Sequence, residues 1–481
     1  MDLDAILSGA TSHVEETVLP LEEYLRKCRD DKTLYDNAAG RLLRAIGPPE
    51  IIDTSKDPRL KTLFGGRQLN DYPVFRSFFG IETTLENIMR FLQAASEGLE
   101  EDRQVMLLYG PVSAGKSTLA ALLRTLAESV PMWVLAVESD GKTTESPIYE
   151  SPLGLFDRNQ HGAILEDTFG IPRGRIRSGM SRWAADHLHA FGNKRSQFKV
   201  KRIMPSVARK IGVAKVIVTD SDAPLIGWKP ESGGPYDYSG ALNITTEGFL
   251  EITELLKARR PALAPLLDAT QSGDYIGAGG VGRLPYHGLI VAHSNTEDWV
   301  AFKKLGETKA YLSRIVPIAC PYCVRYTDEA RMLEQYLRSS DLANAPYTQG
   351  ALELVARYSV LSRLKGQDAL TQLRLLDGES ETSVNAPRKV PGVQTTDDPD
   401  QIDGMTGLPP RAAFMILSNI MHRDGVESGA DPVQVLQALR PMAGSIQETT
   451  KIGMLTRKDV HERDTQPRAL EIIAHDVSQA Y

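Results

Sequence analysis

The stretch "YGPVSAGKST", Tyr109 to Thr118, follows the apolar run "VMLLY" and decides the fold. It satisfies the pattern G-x-x-x-x-G-K-[ST], with Gly110, Gly115, Lys116 and Ser117 at the specified places. A chance glycine-rich turn is the competing reading. The pattern needs a strand before it and a helix after it, and "QVMLLY" and "STLAALLRTLAES" supply both. The segment Gly110, Pro111, Val112, Ser113, Ala114 and Gly115 then folds into a phosphate cradle, closed by Lys116, Ser117 and Thr118 at a positive helix end. Lys116 is expected on the β- and γ-phosphates and the Ser117 hydroxyl on Mg²⁺, so the cofactors are ATP and Mg²⁺.

A chain of 481 residues exceeds one ordinary core, which implies two or three domains. It is 42% hydrophobic and 24% charged, and no apolar run approaches the length of a membrane span. The start "MDLDAILSGATSHVEE" has acids where a signal peptide needs bases, so the expected location is the cytoplasm, without membrane partners. Cys28 stands alone, whereas Cys320 and Cys323 form "CPYC". No second pair or histidine cluster accompanies them, and thiols of this kind read as core residues rather than a metal or redox site.

The net charge of −7 argues against nucleic acid as a bulk electrostatic partner. From Arg173 to Lys210, however, eleven Lys or Arg face one acid, Asp186. That module is a solvated face balancing acidic neighbours, a docking face for an acidic protein, or a contact for nucleic-acid phosphates.

Residues 1–75 read as a helical segment, and "FRSFFGIETTLENIMRFLQAASEGLEE" as an amphipathic helix leading into the P-loop strand. "PMWVLAV" reads as a second buried strand, followed by an insertion over about 139–240. "GFLEITELLKARRPALAPLLDAT" gives a strand and a helix, and "HGLIVAHSN" another strand. Strands alternating with helices around a P-loop make a parallel α/β sheet, here spanning 76–325. A helical lid is expected over 326–425 with a flexible loop at about 378–402, and a helical tail over 426–481.

Hydrolysis needs further parts, sought in chain order. "GFLEITE" has the form of a Walker B strand, with Glu254 where the general base stands and Thr253 where an Asp usually helps hold the metal. Glu251, two residues earlier on the same strand face, is a possible metal helper. "LIVAHSN" ends at Asn295, placed to touch the γ-phosphate end, although Asn is also common in turns. Arg314 in "YLSRIVP" is a candidate finger for a neighbouring subunit's nucleotide, which implies a homo-oligomer, and Arg411 in "GLPPRAAF" a candidate lid arginine.

The chain resembles the PrkA family, bacterial AAA+ proteins known as serine protein kinases. The resemblance rests on "AIGPPEIIDTSKDPRL", "FFGIETTLENIMRF", "GLEEDRQVMLLYGPVSAGKS", "SPIYESPLGLF", "LLDATQSGDY" and "GLIVAHSNTEDW", and covers roughly residues 30–425. It implies an AAA+ core with a large insertion, phosphorylation of protein serines and a stress setting. The family's strand likewise lacks the Walker B Asp. Two features depart: the family P-loop is richer in glycine, and its members carry a longer C-terminal region likened to a protein kinase. No H-R-D-x-x-x-x-N or D-F-G occurs here, so a protein-remodelling ATPase, protease-associated or not, is the physical alternative and a nucleic-acid motor a third.

Overall fold

The structure is a computed structural model. It describes residues 17–444 apart from 58–59, 62–63, 178, 218–224, 226–237, 259, 278–280, 306–307, 365–368, 379–398, 400–401 and 424–429. The flexible loop expected near 378–402, the Pro/Gly-rich end of the insertion and most of the C-terminal tail therefore lie outside the described residues.

Five parallel strands form the central sheet: β1 (Val105–Gly110), β2 (Val213–Ile217), β3 (Phe249–Thr253), β4 (Leu289–Asn295) and β5 (Ile315–Ala319), in the order β5-β1-β4-β3-β2. β1 is buried along its whole length, as an apolar strand covered on both faces must be. Its alternate residues serve opposite faces. Met106 and Leu108 pack with Ile88 and Leu92 of the helix Glu82–Glu97 and with Leu119 and Leu123 of the P-loop helix, Lys116–Glu128. Val105, Leu107 and Tyr109 pack on the other side with Leu263, Leu266, Trp299 and Phe302.

The strand expected over "PMWVLAV" forms at Met132–Ser139 but does not enter this sheet. It pairs antiparallel with Lys199–Ile203 and Lys142–Glu145 in a separate four-stranded sheet, and β2, from within the range expected for the insertion, is the next strand of the central sheet in chain order. A short apolar run reports burial without saying which sheet buries it. The fourth strand of the small sheet, Val18–Pro20, comes from the N-terminal segment. Leu21, Tyr24, Leu25 and Cys28 of the following helix share a core with Leu135 of the strand Met132–Ser139 and with Leu153, Ile171 and Phe198 of the insertion. The first part of the N-terminal segment and the insertion thus share a sheet and a core, whereas Ala38, Leu42 and Ile46 pack on the central sheet.

The all-helical expectation for residues 1–75 is also corrected. Beside the helices Leu21–Asp30 and Ala38–Ile46 stands a hairpin of Glu50–Asp53 and Gln68–Asp71. Its four-residue strands are too short and too exposed to show a periodicity; Ile51 is 65% exposed. The lid forms as expected, from Tyr326–Arg338, Gln349–Arg363, Ala369–Leu376 and Pro410–Arg423 around its own apolar core, joined by Pro432–Gly444. Among the described residues no helix is long and apolar enough to cross a membrane.

Candidate nucleotide site

The C-terminal end of β1 runs directly into the glycine-lysine loop. Gly110 is obligatory because a Cβ there would strike the Cys320 carbonyl, whose own amide donates to Tyr109 O at 2.7 Å. Ser113 and Gly115 both take left-handed backbone, φ +65° and +83°, which curls the loop before the helix. The Lys116 ammonium is buried and donates to the carbonyls of Gly110 at 2.8 Å and Pro111 at 2.6 Å. Burial pulls it below its ordinary value, offset in part by Cys320, Glu297 and Asp298. Ser117 and Thr118 are exposed in the first helical turn. Oxygen-bearing side chains such as these are the donors that Mg²⁺ takes.

Parallel register brings the expected companions to this edge. Asn295 lies directly opposite Gly110, and Thr253 opposite His293, so Glu254 follows at the same edge. The Asn295 side chain makes no capping bond to the helix it precedes. Glu254 has left-handed backbone, φ +57°, its amide donates to His293 O at 2.9 Å, and its half-exposed carboxylate meets Lys257 at 3.1 Å. Lys257 is also 3.9 Å from Asp298.

Glu251 is placed elsewhere. Its carboxylate is fully buried lower in the sheet, paired with Arg124 of the P-loop helix and within 3.5 Å of both Lys215 and His293. Burial opposes its charge, but the His293 bond and the two cations outweigh it and hold the carboxyl below its usual range. This arrangement ties the P-loop helix to the sheet.

The two arginines are remote in different ways. Arg314 immediately precedes β5 at the opposite end of the sheet, where its carbonyl accepts from Val105 N at 2.8 Å. Five residues of strand, at about 3.3 Å each, separate that level from Gly110, roughly 17 Å and beyond an arginine's reach. Its guanidinium bonds locally to Ala310 O and Ser313 Oγ. Arg411 is exposed in the first turn of the lid helix Pro410–Arg423.

Five of the eleven basic residues of this stretch form ion pairs within the chain. Arg173 meets Glu166, Arg177 meets Asp102, Arg182 meets Asp186, Lys199 meets Glu138 and Lys201 meets Glu145. All three cysteines are buried and free, and burial raises the Cys28 and Cys320 thiols to about 12. Among the described residues no cluster of metal-ligating side chains occurs.

Sequence reasoning missed the connection between site and lid. Arg363 is fully buried, forms two bonds of 2.7 and 2.6 Å with Glu329, and donates to the carbonyls of Cys323 and Leu408. Tyr322, between the two cysteines, donates its hydroxyl to Val112 O at 2.5 Å. The "CPYC" quartet drew attention for its sulfurs, whereas its tyrosine touches the loop.

The family model described as the PrkA AAA domain matches residues 19–371. Serine/threonine kinase YeaG of Escherichia coli (strain K12) is 39% identical over 436 residues, covering 87% of this chain and 67% of YeaG. ATP-dependent protease PrkA of Bacillus subtilis (strain 168) is 27% identical over 443 residues, covering 87% and 66%. The chain thus spans about two thirds of the length of these relatives. Among solved structures, the Thermotoga maritima RuvB Holliday junction branch migration motor aligns over 76% of this chain and 71% of that one, at 12% identity and TM-score 0.32. The P-loop in its parallel sheet, the separate helical lid and the family match over most of the chain carry one conclusion: this protein belongs to the PrkA family of AAA+ P-loop ATPases.

Proposed function

We propose that the chain binds ATP with Mg²⁺ at Gly110–Thr118, hydrolyses it, and couples the cycle to work on a protein client. The observation that carries this is the convergence, by strand register alone, of Lys116, Glu254 and Asn295 at one sheet edge. Lys116 holds the β/γ-phosphates, Glu254 takes the proton of the attacking water, and Asn295 orients the γ-phosphate end. Ser117 would hold the metal, which when bound neutralises phosphate charge. Arg411 completes the pocket from the lid, and Arg314 acts on a neighbour's nucleotide, so the working form is a homo-oligomer. Nucleic acid is the weakest reading: the net charge is −7, and five of the eleven basic residues of the stretch are already ion-paired within the chain.

Phosphorylation of protein serine is the second reading, favoured by the name of the 39%-identical relative. The 27%-identical relative bears the name of a protease, which favours remodelling. The test is γ-labelled ATP incubated with the purified protein and a cell extract. Label on free phosphate alone supports the ATPase reading, label on protein serine supports the kinase, and label left in ATP defeats both.

A further inference from the structure

Three successive carbonyls of the P-loop are each held by a side chain. Lys116 takes those of Gly110 and Pro111, and the Tyr322 hydroxyl takes that of Val112. In a trans peptide the C=O and N–H point in opposite directions. Fixing the Val112 carbonyl toward Tyr322 therefore turns the Ser113 N–H to the other side of the loop, where phosphate oxygens are received. Ser113 itself has φ +65°, a conformation that glycine adopts freely and a side-chain-bearing residue resists. The loop thus spends a serine where glycine would be relaxed, and something outside it must hold the shape.

Resting on the nucleotide-binding reading above, we infer that Tyr322 is a positioning residue for ATP: it orients the Val112–Ser113 peptide and ties the P-loop to the lid. Tyr322 is 4% exposed, so its hydroxyl is directed by packing rather than by chance. Its amide donates to Gly404 O at 2.9 Å, and its ring lies 5.0 Å from the Arg363 guanidinium. Arg363 grips Glu329 and the Leu408 carbonyl, two residues before the helix that carries Arg411. A shift of the Val112 peptide on nucleotide binding therefore acts directly on the root of the lid.

Tyr322→Phe removes the hydroxyl and keeps the ring over Arg363. The expected result, by calorimetric titration with ATP and Mg²⁺, is about 5- to 20-fold weaker binding. KM should rise in step while kcat stays within about twofold. Ser113→Gly relaxes the loop, so in that background the Tyr322→Phe loss should shrink to about twofold. Unchanged ATP affinity in Tyr322→Phe would overturn the inference, as would a loss that Ser113→Gly leaves undiminished, since that marks a merely structural tyrosine. A parent protein that binds no ATP defeats the nucleotide reading itself, whereas normal binding in parent and Tyr322→Phe alike defeats only the role of Tyr322.

Discussion

Glu254 occupies left-handed backbone with φ +57° and ψ +37°, an unusual place for a residue with a side chain, and unusual backbone concentrates at functional positions. The bend lifts it off β3 at the edge shared with Gly110 and Asn295. Replacing it with Gln keeps the shape and removes the base. ATP should then bind as before while hydrolysis falls by about 10²–10⁴, measured by calorimetry and phosphate release on the same preparation. Loss of both together would mean that Glu254 holds the metal instead. The position of this residue was legible in "GFLEITE", because a strand ending in an acid after a P-loop is a chemical pattern. The job of Glu251 was not legible. Its partners Arg124 and Lys215 lie 127 and 36 residues away, and only the folded sheet shows that its carboxylate is already engaged.

At the scale of elements, two ion pairs, one partly buried and one fully buried, fasten helices to their neighbours. Arg124–Glu251 pins the P-loop helix to β3. Glu251→Ala leaves Arg124 without its carboxylate and should cost about 3–5 kcal/mol in urea unfolding, with Glu251→Leu/Arg124→Met recovering much of it. The pH dependence follows from the same pair. The folded carboxyl titrates below its ordinary value of 4.5, so its stabilisation is complete above that value and is lost as pH falls through the folded one. The parent melting temperature should therefore drop as pH falls below about 4.5, and Glu251→Gln should lack that part of the drop. In the lid, Arg363–Glu329 is buried with no exposure on either side chain. Arg363→Met should destabilise by a similar ~3–5 kcal/mol and loosen amide exchange in Tyr326–Arg338 before the central sheet. The helices themselves were readable from their apolar period. The sheet allegiance of Met132–Ser139 and the hairpin at Glu50–Asp53 were not, since pairing partners lie far off in sequence and leave no local mark.

For the molecule as a whole, the parallel core was readable because one motif fixes a strand, a turn and a helix together. The sheet shared by the first part of the N-terminal segment and the insertion was not, because it depends on Val18–Pro20 crossing to a strand more than a hundred residues away. The position of Arg314 at the far end of the sheet gives assembly a test. If Arg314 is a finger, it cannot reach its own nucleotide and must serve another subunit; Lys116→Ala and Arg314→Ala proteins, each inactive, should then partly restore ATP turnover when mixed. A finger contributes 10³ or more to turnover in related phosphoryl transfers, so even sparse mixed interfaces are detectable. No rescue, with a protein that stays monomeric in ATP and Mg²⁺, would assign Arg314 to local packing against Ala310 and Ser313. The claim beneath all of these is that chemistry occurs at the loop gathered by Lys116. Steady-state phosphate release by the purified parent and its Lys116→Ala variant measures this most directly. Mg²⁺-dependent turnover is expected in the parent and none above background in the variant; undiminished turnover in the variant would place the chemistry outside this loop.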